Sequence, residues 1–382
     1  MMKKHFVALL LLTSHTSFSQ DKAFAKQLVD TLTSPYFWGR GYTNDGMNKA
    51  AQFIGDQFRL YGLQPVLGSS FSQSFSYPVN IFPGKMQVRI NGKELVPGKD
   101  FIISPDSRGV RASGNLQAQD STHFIDAENR IIVSLHDKLT WSVAGKQADY
   151  TMIQVDRKAL AETPSKLSVN IENKLLPRFK AANICGWVKG TQTPDSVIVI
   201  SAHYDHLGGM GKDTYFPGAN DNASGTSLLL GLAKYYAANP QPYTIAFISF
   251  AGEEAGLLGS KYFTENPLFP LKNIRFVVNL DLEGTGDEGI TVVNATEFAT
   301  EFKQLNEVND EGKFVYKINA RGKAANSDHY WFTEKGVPAF FLYTLGGIKA
   351  YHDIFDKAET LPLNEYEDLF KLITGFNEKL MK

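Results

Sequence analysis

Three hundred and eighty-two residues are enough for one large catalytic domain or two smaller ones. Thirty-nine basic side chains nearly cancel forty acidic ones, for a formal charge of -1. That balance argues against a partner recruited by bulk charge, such as nucleic acid or a charged membrane surface. Hydrophobic content of 43% with 21% charged residues is ordinary for a soluble globular chain.

Lys3 and Lys4 precede an apolar run, Phe6 to Leu12, and a small-residue exit at Ser17-Phe18-Ser19. The pattern reads as a secretory signal peptide over residues 1–19, leaving Gln20 first and a mature chain that is periplasmic or secreted. The run is too short to span a bilayer, so no stable membrane association is expected. The only cysteine is Cys185, which rules out an internal disulfide.

Residues 22–34 and 45–62 carry apolar side chains at helical spacing, with Gly62 as the expected C-cap of the second. From about Phe71 to Asn183 short β-prone runs such as Met86–Ile90 and Ile131–Ser134 alternate with turn signals like Asn91-Gly92. This stretch reads as a β-rich insert at about 80–180. After Asn183 strands and helices alternate. Val197–Ile200, Thr244–Phe250, Ile274–Leu280 and Val337–Tyr343 are apolar runs of the kind buried on both faces. Helices are expected over Ser224–Ala238, about Glu254–Phe263 and Glu365–Leu380. The implied fold is a three-layer αβα body with a mostly parallel central mixed sheet, spanning residues 20–382 together with its insert.

In such sheets ligands gather at the carboxyl ends of the strands. Here those ends carry His203-Tyr204-Asp205, then Asp221 in the following loop, Glu253-Glu254, Asp281, and beyond the fourth strand His352. Carboxylates converging on one pocket would repel one another and be costly to bury. Two dications offset them, since zinc accepts imidazole and carboxylate ligands and a bridging carboxylate sets a metal spacing of ~3.5–4 Å. Blander readings exist for each residue. Asp221 could cap the next helix, and Glu253-Glu254 could favour a helix N-terminus. His329 competes with His352, Tyr343 could face an oxyanion or pack in the core, and His206 reads as a loop residue behind the site.

His203-Tyr204-Asp205, Gly218–Gly225, Gly252-Glu253-Glu254, Asn279-Leu280-Asp281 and Tyr351-His352 together resemble the co-catalytic zinc aminopeptidases of the bacterial leucyl aminopeptidase, aminopeptidase Y and glutamate carboxypeptidase type. The resemblance is strong over 183–357 and fainter at Leu32-Thr33-Ser34 and Gly39-Arg40. It implies two Zn2+ per chain, with Asp221 bridging, His203 and Asp281 on one ion, Glu254 and His352 on the other. It also implies Glu253 as general base and Asp205 as the hydrogen-bond acceptor that fixes the His203 tautomer. The implied substrate is a peptide with a free N-terminus. The chain departs from the family pattern in Glu283 and Asp353, two extra acids that either alter substrate charge preference or are mere rim residues. Two alternatives remain: a single-zinc glutaminyl cyclase of the same architecture, and a non-catalytic binding module on the same fold.

Overall fold

The computed structural model describes residues 21–382, so the signal peptide expected at 1–19 lies outside the described residues. Helices Lys22–Leu32 and Gly46–Tyr61 occupy the two stretches of helical spacing. Asp21 caps the first, accepting the Ala23 N–H at 2.8 Å. Gly62 ends the second at φ +86°, a left-handed conformation that a side chain would strain.

A nine-stranded mixed sheet forms the body. Its four central strands run parallel in the spatial order Tyr243–Phe250, Thr193–His203, Ile274–Leu280, Ala339–Thr344. Successive strand residues point to opposite faces. Ile198 and Ile200 pack into one apolar cluster with the helices Gly225–Ala238 and Tyr366–Leu380. Val197 and Val199 pack into another with Phe263 and Phe332. Both faces are therefore dry, which is why these strands read as continuous apolar runs, and the three-layer αβα architecture follows. No helix among the described residues is long and apolar enough to cross a membrane.

The helix expected from about Glu254 begins instead at Leu258. Gly256 and Leu257 take positive φ, +108° and +59°, and break the path between strand and helix. Glu253 and Glu254 thus sit in a loop, not on a helix N-terminus.

The β-rich stretch folds between Met86 and Ile171 as a five-stranded and a four-stranded sheet. They enclose a separate core that includes Phe101, Ile131, Val133 and Ile153. Leu207, Met210 and Phe216 of the body complete that core. Apolar burial therefore seats the insert on the loop that leaves His203.

Candidate metal centre

The parallel register brings the chemistry to one edge. His203 ends its strand level with Phe250, and Ser201 lies beside Asn279, two residues before Asp281. The chain leaves the Thr193–His203 strand between neighbours that both come later in sequence, a switch point where adjacent loops diverge and leave a crevice. Into it point His203, Asp281 and the Glu253-Glu254 loop.

Asp221 reaches the same crevice from the Gly218–Gly225 loop, which three groups hold in place. The Asp356 carboxylate accepts the N–H groups of Asn220 at 2.8 Å and Asp221 at 3.0 Å. Asn222 donates to Leu280 O at 2.9 Å and accepts the Gly225 N–H at 2.9 Å. Asn222, not Asp221, therefore caps the helix, and the Asp221 carboxylate is free of that duty. The third group is Arg40, fully buried, whose guanidinium takes the carbonyls of Pro217, Gly218 and Asp221.

Around Asp221 the imidazoles are disposed in two matched sets. His203 Nε2 stands 3.3 Å from Asp221 Oδ1 and 3.3 Å from Asp281 Oδ1. His352 Nε2 stands 3.1 Å from Asp221 Oδ2 and 3.2 Å from Glu254 Oε2. Each imidazole spends its other nitrogen on a backbone carbonyl: His203 Nδ1 donates to Asp205 O at 3.1 Å, His352 Nδ1 to Trp141 O at 2.8 Å. A carbonyl can only accept, so the neutral ring carries its proton on Nδ1 and aims the Nε2 lone pair at two carboxylates. A positive charge between Nε2 and the carboxylates resolves that arrangement, either a proton on the ring or a metal ion in its place. Ligands of one tetrahedral zinc lie about 3.3 Å apart, given bonds of about 2.0–2.2 Å, so both sets fit zinc ions that share Asp221.

Asp205 differs from expectation. Its carboxylate Oδ1 is 3.8 Å from His203 Nδ1, beyond hydrogen-bond reach, and instead accepts the Glu253 N–H at 3.2 Å. The chain turns back after the strand, so the Asp205 carbonyl meets the ring and the side chain meets the Glu253 loop. Glu253 itself is half-buried with its carboxylate near His203 and Asp281, within the 4.8 Å spread of those three ligand atoms. His206 lies in the loop behind the site, as expected, and is fully buried, with Nδ1 2.7 Å from Glu254 Oε1. It turns the other Glu254 oxygen toward His352. Its ring lies 3.9 Å from Asp221 Oδ1, so it belongs to the support of Glu254.

Behind Asp281 a relay crosses three elements. Ser201 Oγ donates to Asn279 Oδ1, Asn279 Nδ2 to Ser327 Oγ, and Ser327 Oγ to Asp281 Oδ2, each at 2.8 Å. His329 is buried against Phe341, far enough from these carboxylates to make no ion pair with them, and burial pushes it down to about 4. Cys185 is buried in the sheet. Glu283 is buried, and Asp353 accepts the Phe355 N–H at 2.9 Å and faces Lys138 at 3.7 Å. Neither extra acid lines the crevice.

The crevice opens to a cavity of about 300 Å³ whose wall includes Leu282, Arg321, Phe341, Tyr343 and Tyr351 beside the ligand set. Tyr343 Oη accepts from Arg321 at 3.3 Å. A larger concavity, about 520 Å³, lies on the four-stranded sheet of the insert, but among the described residues no cluster of ligating side chains converges there.

Without metal, protons stand in for the cations. Burial opposes charge on His352, but Glu254 and Asp221 overcome it and push the imidazole up to about 11. Burial and Asp221 work against the Glu254 carboxylate, yet His352 and His206 draw it down to about 2. The sign of the pH dependence follows. A group raised to about 11 stabilises the fold fully below its unfolded value of about 6.5 and loses that contribution as pH rises toward 11. A group lowered to about 2 stabilises above about 4.5 and loses that contribution as pH falls. In metal-free protein this pair is expected to contribute fully between about pH 4.5 and 6.5, which thermal melts across pH would read. Zinc must displace the Nε2 protons, so its affinity is expected to climb with pH. Affinity independent of pH would contradict the imidazole–carboxylate geometry.

Residues 183–376 match the family described as peptidase family M28. Aminopeptidase YwaD of Bacillus subtilis is 26% identical over 255 residues, covering 63% of this chain and 54% of its own. A probable leucine aminopeptidase of Arthroderma otae is 27% identical over 329 residues, covering 83% of this chain and 82% of its own. A solved zinc aminopeptidase from Bacillus subtilis has a TM-score of 0.69 at 19% identity, with 94% of each chain covered, a likeness of fold. The chain spans about half the length, or less, of the first curated relatives it matches.

Proposed function

The chain belongs to peptidase family M28, and we propose that it is a two-zinc aminopeptidase that removes N-terminal residues from peptides. The observation that carries this reading is Asp221, whose two oxygens each face a different imidazole–carboxylate set. His203, Asp281 and Asp221 would hold one ion; His352, Glu254 and Asp221 would hold the other. Once bound, the pair would polarise the scissile carbonyl and acidify the attacking water.

The protein's own part is positioning and proton transfer. Glu253 stands beside His203 and Asp281 with no competing hydrogen bond to its carboxylate among the described residues, free to take the proton of the attacking water and pass it to the leaving amine. Burial, with Asp281 and Glu254 adding to it, holds this carboxyl well above the usual range, and His203 pulls the other way. Two cations would bring it down toward working pH. Leu282, Phe341, Tyr343 and Tyr351 offer an apolar and aromatic wall to the substrate's first side chain. The N-terminal pattern of residues 1–19 supports export to the periplasm or beyond.

The test is metal analysis of purified protein together with a panel of aminoacyl reporter amides. Two zinc ions per chain and hydrolysis confined to substrates with a free α-amine are expected, with Gln20 as the first residue of the exported chain. One ion per chain with cyclisation of N-terminal glutamine would favour the cyclase alternative. No ion and no turnover would favour the binding module.

A further inference from the structure

We infer that the β-rich insert is a working part of the metal centre and not only its cover: the Trp141 backbone sets the orientation and tautomer of His352. The inference rests on the reading of His352 as a ligand. The two residues exchange a reciprocal pair of hydrogen bonds. Trp141 N–H donates to His352 O at 2.9 Å, and His352 Nδ1–H donates to Trp141 O at 2.8 Å. Because that carbonyl can only accept, Nδ1 keeps its proton when the ring is neutral, and Nε2 is the atom offered toward Asp221 and Glu254.

The rings of Tyr351, stacked with centroids 4.0 Å apart, and His206, edge-on at 5.7 Å, also touch His352, but neither fixes which nitrogen carries the proton. His352 sits between the last strand and a short 3-10 turn, outside any helix or strand, at φ +52°, a conformation costing a residue with Cβ roughly 1 kcal/mol. Trp141, in contrast, is firmly seated. It is 5% exposed, its indole N–H donates to Ile103 O at 2.8 Å within the insert, and its ring stacks on Phe216 with centroids 4.6 Å apart. Lys138 adds a second grip, donating to Lys349 O at 2.9 Å and facing Asp353 at 3.7 Å. The insert therefore straps the loop on both sides of His352.

The two imidazoles differ in this respect. His203 is oriented by the carbonyl of Asp205, two residues on in the same turn. His352 is oriented from 211 residues away. Loosening the strap should therefore weaken the ion held by His352 and Glu254 and spare the ion held by His203 and Asp281. Loss of an outer partner of a ligating histidine typically weakens metal binding about 10–100-fold.

Zinc titration of metal-free, full-length protein against a chromophoric chelator reads both affinities separately from activity. Trp141→Ala removes the stacking and the indole hydrogen bond that seat the backbone. It is expected to bind one zinc as the wild type does and the second about 10–100-fold more weakly. Trp141→Phe keeps the stack on Phe216 and is expected to recover most of the second affinity. Lys138→Ala, a surface change, should give a smaller shift in the same ion even if Trp141→Ala fails to fold. Equal weakening of both ions, or no change in either for the soluble variants, overturns the inference. A wild-type protein that takes fewer than two ions overturns the metal assignment first, and the inference with it.

Discussion

Glu253→Gln is expected to lower kcat by about 10²–10⁴ while leaving two zinc ions bound. The amide matches the carboxylate in shape but cannot take a proton, so the change isolates that one step. Glu253 is well placed for it. The Glu253 N–H is held by Asp205 Oδ1 at 3.2 Å, and the preceding Gly252 adopts φ +69° against the ring of Tyr77, which fixes where the loop turns. Its carboxylate is left pointing toward His203 and Asp281. Glu253→Asp, one methylene shorter, should fall between glutamine and wild type because geometry as well as basicity is altered. In the wild type, kcat should decline on the acid side as Glu253 becomes protonated, and the glutamine variant should lose that limb. Hydrolysis at the wild-type rate by Glu253→Gln, with metal content confirmed, would remove Glu253 from the mechanism.

The parts of this fold that the sequence displays are those whose physics is written in side chains. The central strands are visible because both faces are buried, so Val197 to Ile200 carries no polar residue to mark a solvent side. Their parallel order then puts His203, Glu253, Glu254 and Asp281 on one edge. The last two strands of the sheet, Ile290–Val293 and, at its edge, Ile318–Arg321, are four residues each, too short for a pattern to declare itself. Helix Ala299–Gly312 buries only Leu305 and Val308, so its apolar stripe is faint. The late start of the Leu258–Glu265 helix depends on the left-handed Leu257, a conformation that no side-chain pattern announces.

The site divides along the same line. The convergence of these carboxylates and imidazoles is legible because such groups at buried strand ends are improbable otherwise. What stays hidden is how backbone carbonyls orient them. The carbonyls of Asp205 and Trp141 choose the imidazole tautomers, and a carbonyl has no letter in the sequence. His206 was closer to view, a third imidazole-or-carboxylate residue within four positions of His203, but its pairing with Glu254 requires two strands to be side by side. Arg40 was visible only as half of a Gly-Arg pair near the start of the chain.

Arg40 carries the largest expected stability effect. All five guanidinium N–H bonds reach carbonyls: Nε to Tyr204 at 2.8 Å, Nη1 to Leu32 at 3.1 Å and Pro217 at 2.7 Å, Nη2 to Gly218 at 2.7 Å and Asp221 at 3.2 Å. The side chain thereby ties the end of the first helix to the backbone around His203 and around Asp221. Burial lowers the guanidinium to about 10, against the pull of Asp221, Asp356, Asp205 and Glu254, so it stays charged at neutral pH. That charge also offsets carboxylates when no metal is bound. Arg40→Lys keeps the charge but offers at most three donors from one nitrogen, leaving at least two buried carbonyls unmatched at about 1–3 kcal/mol each. A loss of about 3–5 kcal/mol follows, a large fraction of the 5–15 kcal/mol typical of a folded domain. Urea unfolding of the zinc-loaded and metal-free forms measures it. The metal-free form should lose more, because there Arg40 and the imidazoliums of His203 and His352 supply positive charge among these carboxylates in place of metal. A lysine variant within about 1 kcal/mol of wild type in both forms would mean the five carbonyls find other donors, and the strap between helix and metal loop would not be Arg40.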